Sequence, residues 1–154
     1  MHDGTPIAAP PDIVEFLTAY VAAYGSGSLD ALRPFYTAGT LVWPNQRDTV
    51  VGWDAVRAMF APSFERFAIG ARVHLQEVRG GGDERFLRFL TEVHLAPRDG
   101  GPAVTAAFRD FAVFQRVDGR WTILRNIDQP ITPEQLAADL LRDPPLAVIG
   151  NPAN

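Results

Sequence analysis

The sequence predicts an α+β fold, with helices at the start of the chain and one long antiparallel meander after them. Two observations carry this expectation. The apolar period is helical through the first third of the chain and becomes alternating from about residue 71. Asp118-Gly119, set between strand-like segments, is a strong hairpin signal, because both central residues of a type I′ turn need positive φ. Helices first and strands afterwards point away from a parallel α/β sheet. The expected shape is a cone: a curved antiparallel sheet with the N-terminal helices across its concave face and a pocket at its open end.

Residues 1–10 are small and Pro-bearing, and read as a flexible N-terminus. A helix is expected from Asp12, with Asp12 and Glu15 in a capping-box spacing and Ile13, Phe16, Leu17, Tyr20, Val21 and Tyr24 on one face. Gly25-Ser26-Gly27 stops it, and Ser28 opens a short helix made irregular by Pro34. Thr40-Leu41-Val42-Trp43 reads as a strand, ended by Pro44-Asn45. Gly52-Trp53-Asp54 starts a third helix that Pro62 bends or ends. Strands are expected over 71–78, 85–96, 103–116 and 120–128, rich in Val, Phe, Leu, Thr and Ile. Thr132-Pro133-Glu134-Gln135 starts a last helix, with Thr as N-cap, Pro in the first turn and Gln at the capping-box position. The division is therefore a main domain over 11–130, a C-terminal helix over 131–143 and a tail over 144–154.

Composition narrows the function classes. The 154 residues are 47% apolar and 21% charged, as expected of one globular domain. A net charge of −4, with arginines scattered among carboxylates, argues against nucleic acid as a partner. No apolar run reaches the length of a membrane helix, and the start of the chain lacks the pattern of a signal peptide, so no membrane is expected and the location is read as cytoplasmic. Cysteine is absent, three histidines form no metal pattern, and Gly80-Gly81-Gly82 is no phosphate loop; no cofactor and no metal are expected.

The candidate chemistry lies on the predicted strands. Glu92 and His94 are two apart and share a face, either as an acid–base pair at the pocket wall or on a solvated or dimer-contacting outer face. Asp110 stands in the apolar stretch Ala106–Ala112, where burial would raise its pKa and make it a usable acid or base. The alternative is a structural pair with Arg125 or Arg88. With a two-residue turn, Asp110 faces Ile127 and is diagonal to Arg125, Arg109 stands opposite Asp128, and a one-residue slip reverses every facing. Asn126 and Asp128 share a face near the end of the last strand. Arg72, His74 and Gln76 form a polar face read as solvated.

Four stretches carry a family resemblance: Tyr24–Leu32, Gly39–Pro44, Gly52–Val56 and the hairpin Phe114–Ile123. With the meander they cover residues 11–130 and resemble the SnoaL-like branch of the nuclear transport factor superfamily. Its relatives include polyketide cyclases, ketosteroid isomerase, limonene epoxide hydrolase and scytalone dehydratase. The resemblance implies a cystatin-like cone, and Tyr20 matches the first-helix tyrosine that donates to an oxyanion in the isomerases. Asp110 falls within one residue of their second donor, whereas Trp43 stands where their catalytic aspartate would be. The hydrolases' Arg-x-Asp aligns with Glu92-Val93-His94 and their last-strand aspartate with Asn126. His74 and His94 match the dehydratases' histidines, but their helix acid falls at Gly25. The resemblance also makes Trp43 a substrate-contacting residue.

The expected function is cofactor-independent proton transfer on a hydrophobic, oxygenated small molecule, by cyclisation, dehydration, isomerisation or epoxide opening. His94, Asp110 and Glu92 are the catalytic candidates, with Tyr20, Trp43, Asn126 and Asp128 as substrate contacts. The alternative is a non-catalytic binding or dimeric accessory module of the same fold. The expected partners are a hydrophobic ligand and a second copy of the chain, joined through the sheet.

Overall fold

In the computed structural model, which describes residues 9–150, the first element is helix α1 (Pro11–Gly25). Pro10 rather than Asp12 is its N-cap, because Pro11 supplies the preset φ of a first helical residue. Asp12 is the second helical residue; its Oδ1 accepts the Ile13 N–H at 3.0 Å and its Oδ2 the indole N–H of Trp121 at 2.9 Å, so it also ties the helix to the sheet. A 3-10 helix (Leu29–Phe35) follows, its tighter winding consistent with Pro34 inside it; Ser28 makes no side-chain cap. Strand β1 (Tyr36–Trp43) begins four residues earlier than the sequence suggests. A two-residue β2 (Val50–Val51) leads into α2 (Gly52–Arg66), which runs through Pro62 for a further turn.

The meander consists of β3 (Phe67–Arg79), β4 (Glu84–Pro97), β5 (Val104–Val117) and β6 (Arg120–Ile131). Asp118 and Gly119 have φ of 51° and 76°, as a type I′ hairpin requires. Thr132 caps α3 (Pro133–Arg142) with a complete capping box. The expected tail is not all tail. Residues Ala147–Ile149 form β7, paired to β3 at Val73–Leu75, because that edge leaves backbone groups free to bond. The expected loose start falls mostly on residues 1–8, and the end of the expected tail on residues 151–154; both lie outside the described residues.

The seven strands form one curved, open sheet in the order β2-β1-β6-β5-β4-β3-β7. It is antiparallel throughout except where β1 joins β6 in parallel. Helices α1 and α2 cover one face, α1 over β3 and α2 against β1. Their apolar stripes meet Val73, Leu75, Leu87, Phe89 and Phe114 in a core that includes Ile13, Phe16, Leu17, Val56 and Phe64. Helix α3 lies on the other face and buries no residue fully. Arg109 holds it through Asp139 at 2.6 Å, and Arg88 through Asp143 at 2.5 Å.

The register of the last hairpin departs from the simple expectation. Val117↔Arg120 through Phe114↔Ile123 follow the two-residue turn, but the next pair is Val113↔Arg125. Leu124 is the extra residue of a β-bulge, and it flips every later side chain of β6 to the opposite face. Asp110 therefore stands opposite Asp128, not Ile127, and Arg109 opposite Gln129.

Candidate active site

Between the helices and the inner face of the sheet lies a cavity of about 350 Å³. That is within the size range of small-molecule sites. Alternation along the strands selects its wall: Ala71 and Val73 from β3, Phe89, Thr91 and Val93 from β4, and Phe108, Asp110, Ala112 and Phe114 from β5. Beyond the bulge, β6 contributes Asn126 and Asp128. Tyr20 and Tyr24 come from α1, Met59 and Phe60 from α2, and Asn45 and Arg47 from the loop after β1. A larger surface groove of about 690 Å³ is lined by Arg33, Trp53, Asp54 and Arg120, but its charged groups are all exposed. The buried carboxylate, Asp110, is in the inner cavity.

Asp110 is 8% exposed. Its Oδ2 accepts from Thr91 Oγ1 at 2.9 Å, and no arginine reaches it. Burial in apolar surroundings pushes its pKa up to about 8; the Thr91 hydroxyl opposes this and the nearby Asp128 charge adds to it. Asp128 is also raised, by burial, while a backbone N–H from Asn45 favours its ionised form. The two carboxylates are thus unequal neighbours: one deeply buried and held protonated near neutrality, the other less buried.

The hydroxyls of Tyr20 and Tyr36 lie 2.6 Å apart. Burial drives both phenols upward, and Tyr24 to about 12, so all three stay protonated. Two phenols that share one hydrogen bond keep one O–H to spare; when Tyr36 donates to Tyr20, the Tyr20 proton is free to point into the cavity. Asn126 Oδ1 is buried with no partner, so this wall offers an acceptor to a ligand as well.

The structure divides the sequence candidates by face. Tyr20, Asp110, Asn126 and Asp128 line the cavity. Glu92 and His94 do not. Thr91 and Val93 point inward, so their neighbours point outward, and Glu92 Oε2 bonds His74 Nε2 at 2.7 Å with Arg72 at 3.8 Å. His74 is buried on that outer face rather than solvated. Trp43 is 39% exposed and absent from the cavity wall. Its parallel partner is Ile127, which the bulge turns outward, so Trp43 shares the outer face. The alternative pairing of Asp110 with Arg125 or Arg88 does not form; the Arg125 guanidinium donates to the carbonyls of Gly39 and Leu124, and that of Arg88 to Gln76, Glu77 and Asp143. Thr91, Tyr36 and Arg47 were missed as functional residues. For Thr91 a signal existed, since it is the lone polar residue between Phe89 and Val93 on one strand face.

Among the described residues no group of three or more His, Cys, Asp or Glu side chains is placed to hold a metal ion, and no helix is long and apolar enough to cross a membrane.

Residues 17–124 match the family model of the SnoaL-like domain, well over half of the chain. The chain belongs to the SnoaL-like family. No curated protein matches it. Among solved structures, this SnoaL-like chain is similar to a ketosteroid isomerase-like protein from Erwinia carotovora atroseptica, at 22% identity and a TM-score of 0.68 over 79% of this chain and 95% of that one. A candidate scytalone dehydratase from Novosphingobium aromaticivorans shares 14% identity at a TM-score of 0.72, over 79% and 83% of the two chains. A nuclear transport factor 2-like superfamily protein from Salmonella enterica shares 15% at 0.66, over 78% and 89%. Identities this low establish a common fold for SnoaL-like chains and leave the chemistry to the site.

Proposed function

We propose that the cavity catalyses cofactor-independent proton transfer on a neutral, hydrophobic, oxygenated small molecule, with Asp110 and Asp128 as the acid–base pair. The observation that carries this reading is their cross-strand pairing inside an apolar cavity. Asp110, held protonated, donates to a substrate oxygen that gains negative charge. Tyr20 supplies a second donor to the same oxygen. Asp128, the more readily ionised of the two, takes the proton from carbon or from a bound water. Asn126 Oδ1 orients a substrate hydroxyl. His94 and Glu92, on the outer face, take no part.

Titratable groups gathered within one enclosed site favour catalysis over plain binding. The alternative, a non-catalytic binding module, rests on the unpartnered Asn126 acceptor and is separated by the same experiment. Wild type, Asp110→Asn and Asp128→Asn are screened for binding and turnover with cyclic ketones, hydroxyketones and epoxides. Turnover lost in both variants while binding persists supports the enzyme. Binding without turnover in all three proteins leaves the binding module.

We further propose a homodimer formed through the outer sheet face, acting in the cytoplasm. Trp43, Ile127 and Phe111 are register neighbours across β1, β6 and β5, and the Phe86 ring lies 6.5 Å from that of Phe111. All four are exposed large apolar residues, three in one row and Phe86 diagonal to Phe111, forming the kind of contiguous patch an interface core requires.

A further inference from the structure

The acid–base pair depends on a bulge, and the bulge has a latch. Between the pairs Tyr36↔Ile123 and Leu41↔Arg125, β1 advances five residues while β6 advances two. Both strands are thus irregular at the same level. A bulge leaves ladder groups without their regular partners, and here one side chain collects them. Thr40 is 0% exposed. Its hydroxyl donates to the Ile123 carbonyl at 2.6 Å and accepts the Thr37 backbone N–H at 3.0 Å. Arg125 adds a second tie, donating to the carbonyls of Gly39 and Leu124 at 3.1 and 2.8 Å.

We infer that Thr40 is a positioning residue, whose hydroxyl locks the paired irregularities of β1 and β6 and so holds Asp128 opposite Asp110 in the cavity. Thr40 is not among the residues that line the cavity, and acts only through β6. The geometry makes its role discrete. Ile123 points inward, so an unbulged β6 would turn Arg125 and Ile127 inward and Asn126 and Asp128 outward. Asp110 would then stand opposite Ile127, with the Arg125 guanidinium diagonal to it and no second carboxylate. In the native arrangement it is faced by Asp128 from β6, Thr91 from β4 and the phenols of Tyr20 and Tyr24 from α1.

This inference rests on the proposed roles of Asp110 and Asp128, and the test keeps the two apart. Thr40→Val removes the hydroxyl at nearly constant volume, and Thr40→Ser restores it. Each protein is labelled with 13C-aspartate. The Asp110 carboxyl is titrated by NMR, and cross-strand NOEs identify the residue opposite Asp110. Thr40→Val is expected to lose the Asp110–Asp128 contacts and to move the Asp110 midpoint down by at least ~1 pH unit, as an approaching positive charge would. Thr40→Ser is expected to keep the wild-type contacts and midpoint, whatever its melting temperature. If Thr40→Val does not fold, Arg125→Gln, which breaks only the outer tie, is read by the Asp110–Asp128 contacts alone, because it removes the charge that would lower the midpoint. Unchanged contacts and midpoint in a folded variant overturn the latch and leave the acid–base pair standing. An ordinary carboxylate midpoint for Asp110 in the wild type overturns the acid–base pair itself.

Discussion

Asp110 and Asp128 are direct cross-strand partners inside an apolar cavity, although a regular hairpin would have placed Ile127 opposite Asp110. Burial is the main reason Asp110 keeps its proton, and the Asp128 charge on the neighbouring strand adds to it. The site therefore has a thermodynamic signature that needs no substrate.

The folded-state pKa of Asp110 is about 8, above the ordinary carboxylate value near 4. Between these values the folded protein binds a proton that the unfolded chain releases, so stability falls as pH rises. The contribution is fully present below pH ~4, declines by at most ~1.4 kcal/mol per pH unit, and levels off above pH ~8. Asp110→Asn removes this slope. Urea denaturation between pH 5 and 9 is expected to show a flatter profile for the variant, which gains on the wild type as pH rises. Parallel profiles would mean that Asp110 is ionised throughout the range.

The phenol pair gives a second prediction. Tyr20→Phe leaves the Tyr36 hydroxyl unpaired in the core and is expected to cost about 1–3 kcal/mol of stability. It is also expected to lower turnover by about 10²-fold, as loss of an oxyanion donor does. Tyr36→Phe should cost similar stability but leave most of the turnover, because Tyr20 keeps its own proton for the substrate. Equal losses of turnover would show that the pair acts as a unit.

His94→Ala is expected to change kcat/KM by less than ~2-fold, because the side chain lies on the face opposite the cavity. The sequence alone suggests the reverse, and a large loss would return catalysis to that histidine.

Phe111→Arg places a charge in the middle of the exposed outer row. Sedimentation velocity is expected to find the wild type as a dimer and the variant at half its mass, with the Asp110 titration unchanged. A monomeric wild type would remove the interface.

Much of the fold was legible because it rests on local rules. The change from helical to alternating period marks the boundary between α2 and the sheet to within four residues, and Asp118-Gly119 fixed the hairpin. The Thr132 capping box stands as read. The site was legible only in part, because facing depends on register and register is not local. Tyr20, on a helix with a clear stripe, could be placed from spacing alone. Glu92 and His94 obeyed alternation, but nothing in β4 says which face is inside. The bulge left a faint trace, since Ile123-Leu124 are consecutive apolar residues that interrupt the alternation of β6. The short strand β7 has too few residues to carry a period and became visible only through its pairing with β3.

The one-residue irregularity at Leu124 has an evolutionary reading. One stretch of β6 holds two alternative walls: with the bulge it shows Asn126 and Asp128 to the cavity, and in a regular ladder of the same sequence it would show Arg125 and Ile127. A single substitution outside the cavity that abolished the bulge would turn an acidic site into a basic, more apolar one with all four of those codons unaltered. Substitutions at the wall itself would have to pass through several intermediates to reach the same result. Residues that keep this strand irregular are thus a short route by which one such cone could acquire a different reaction.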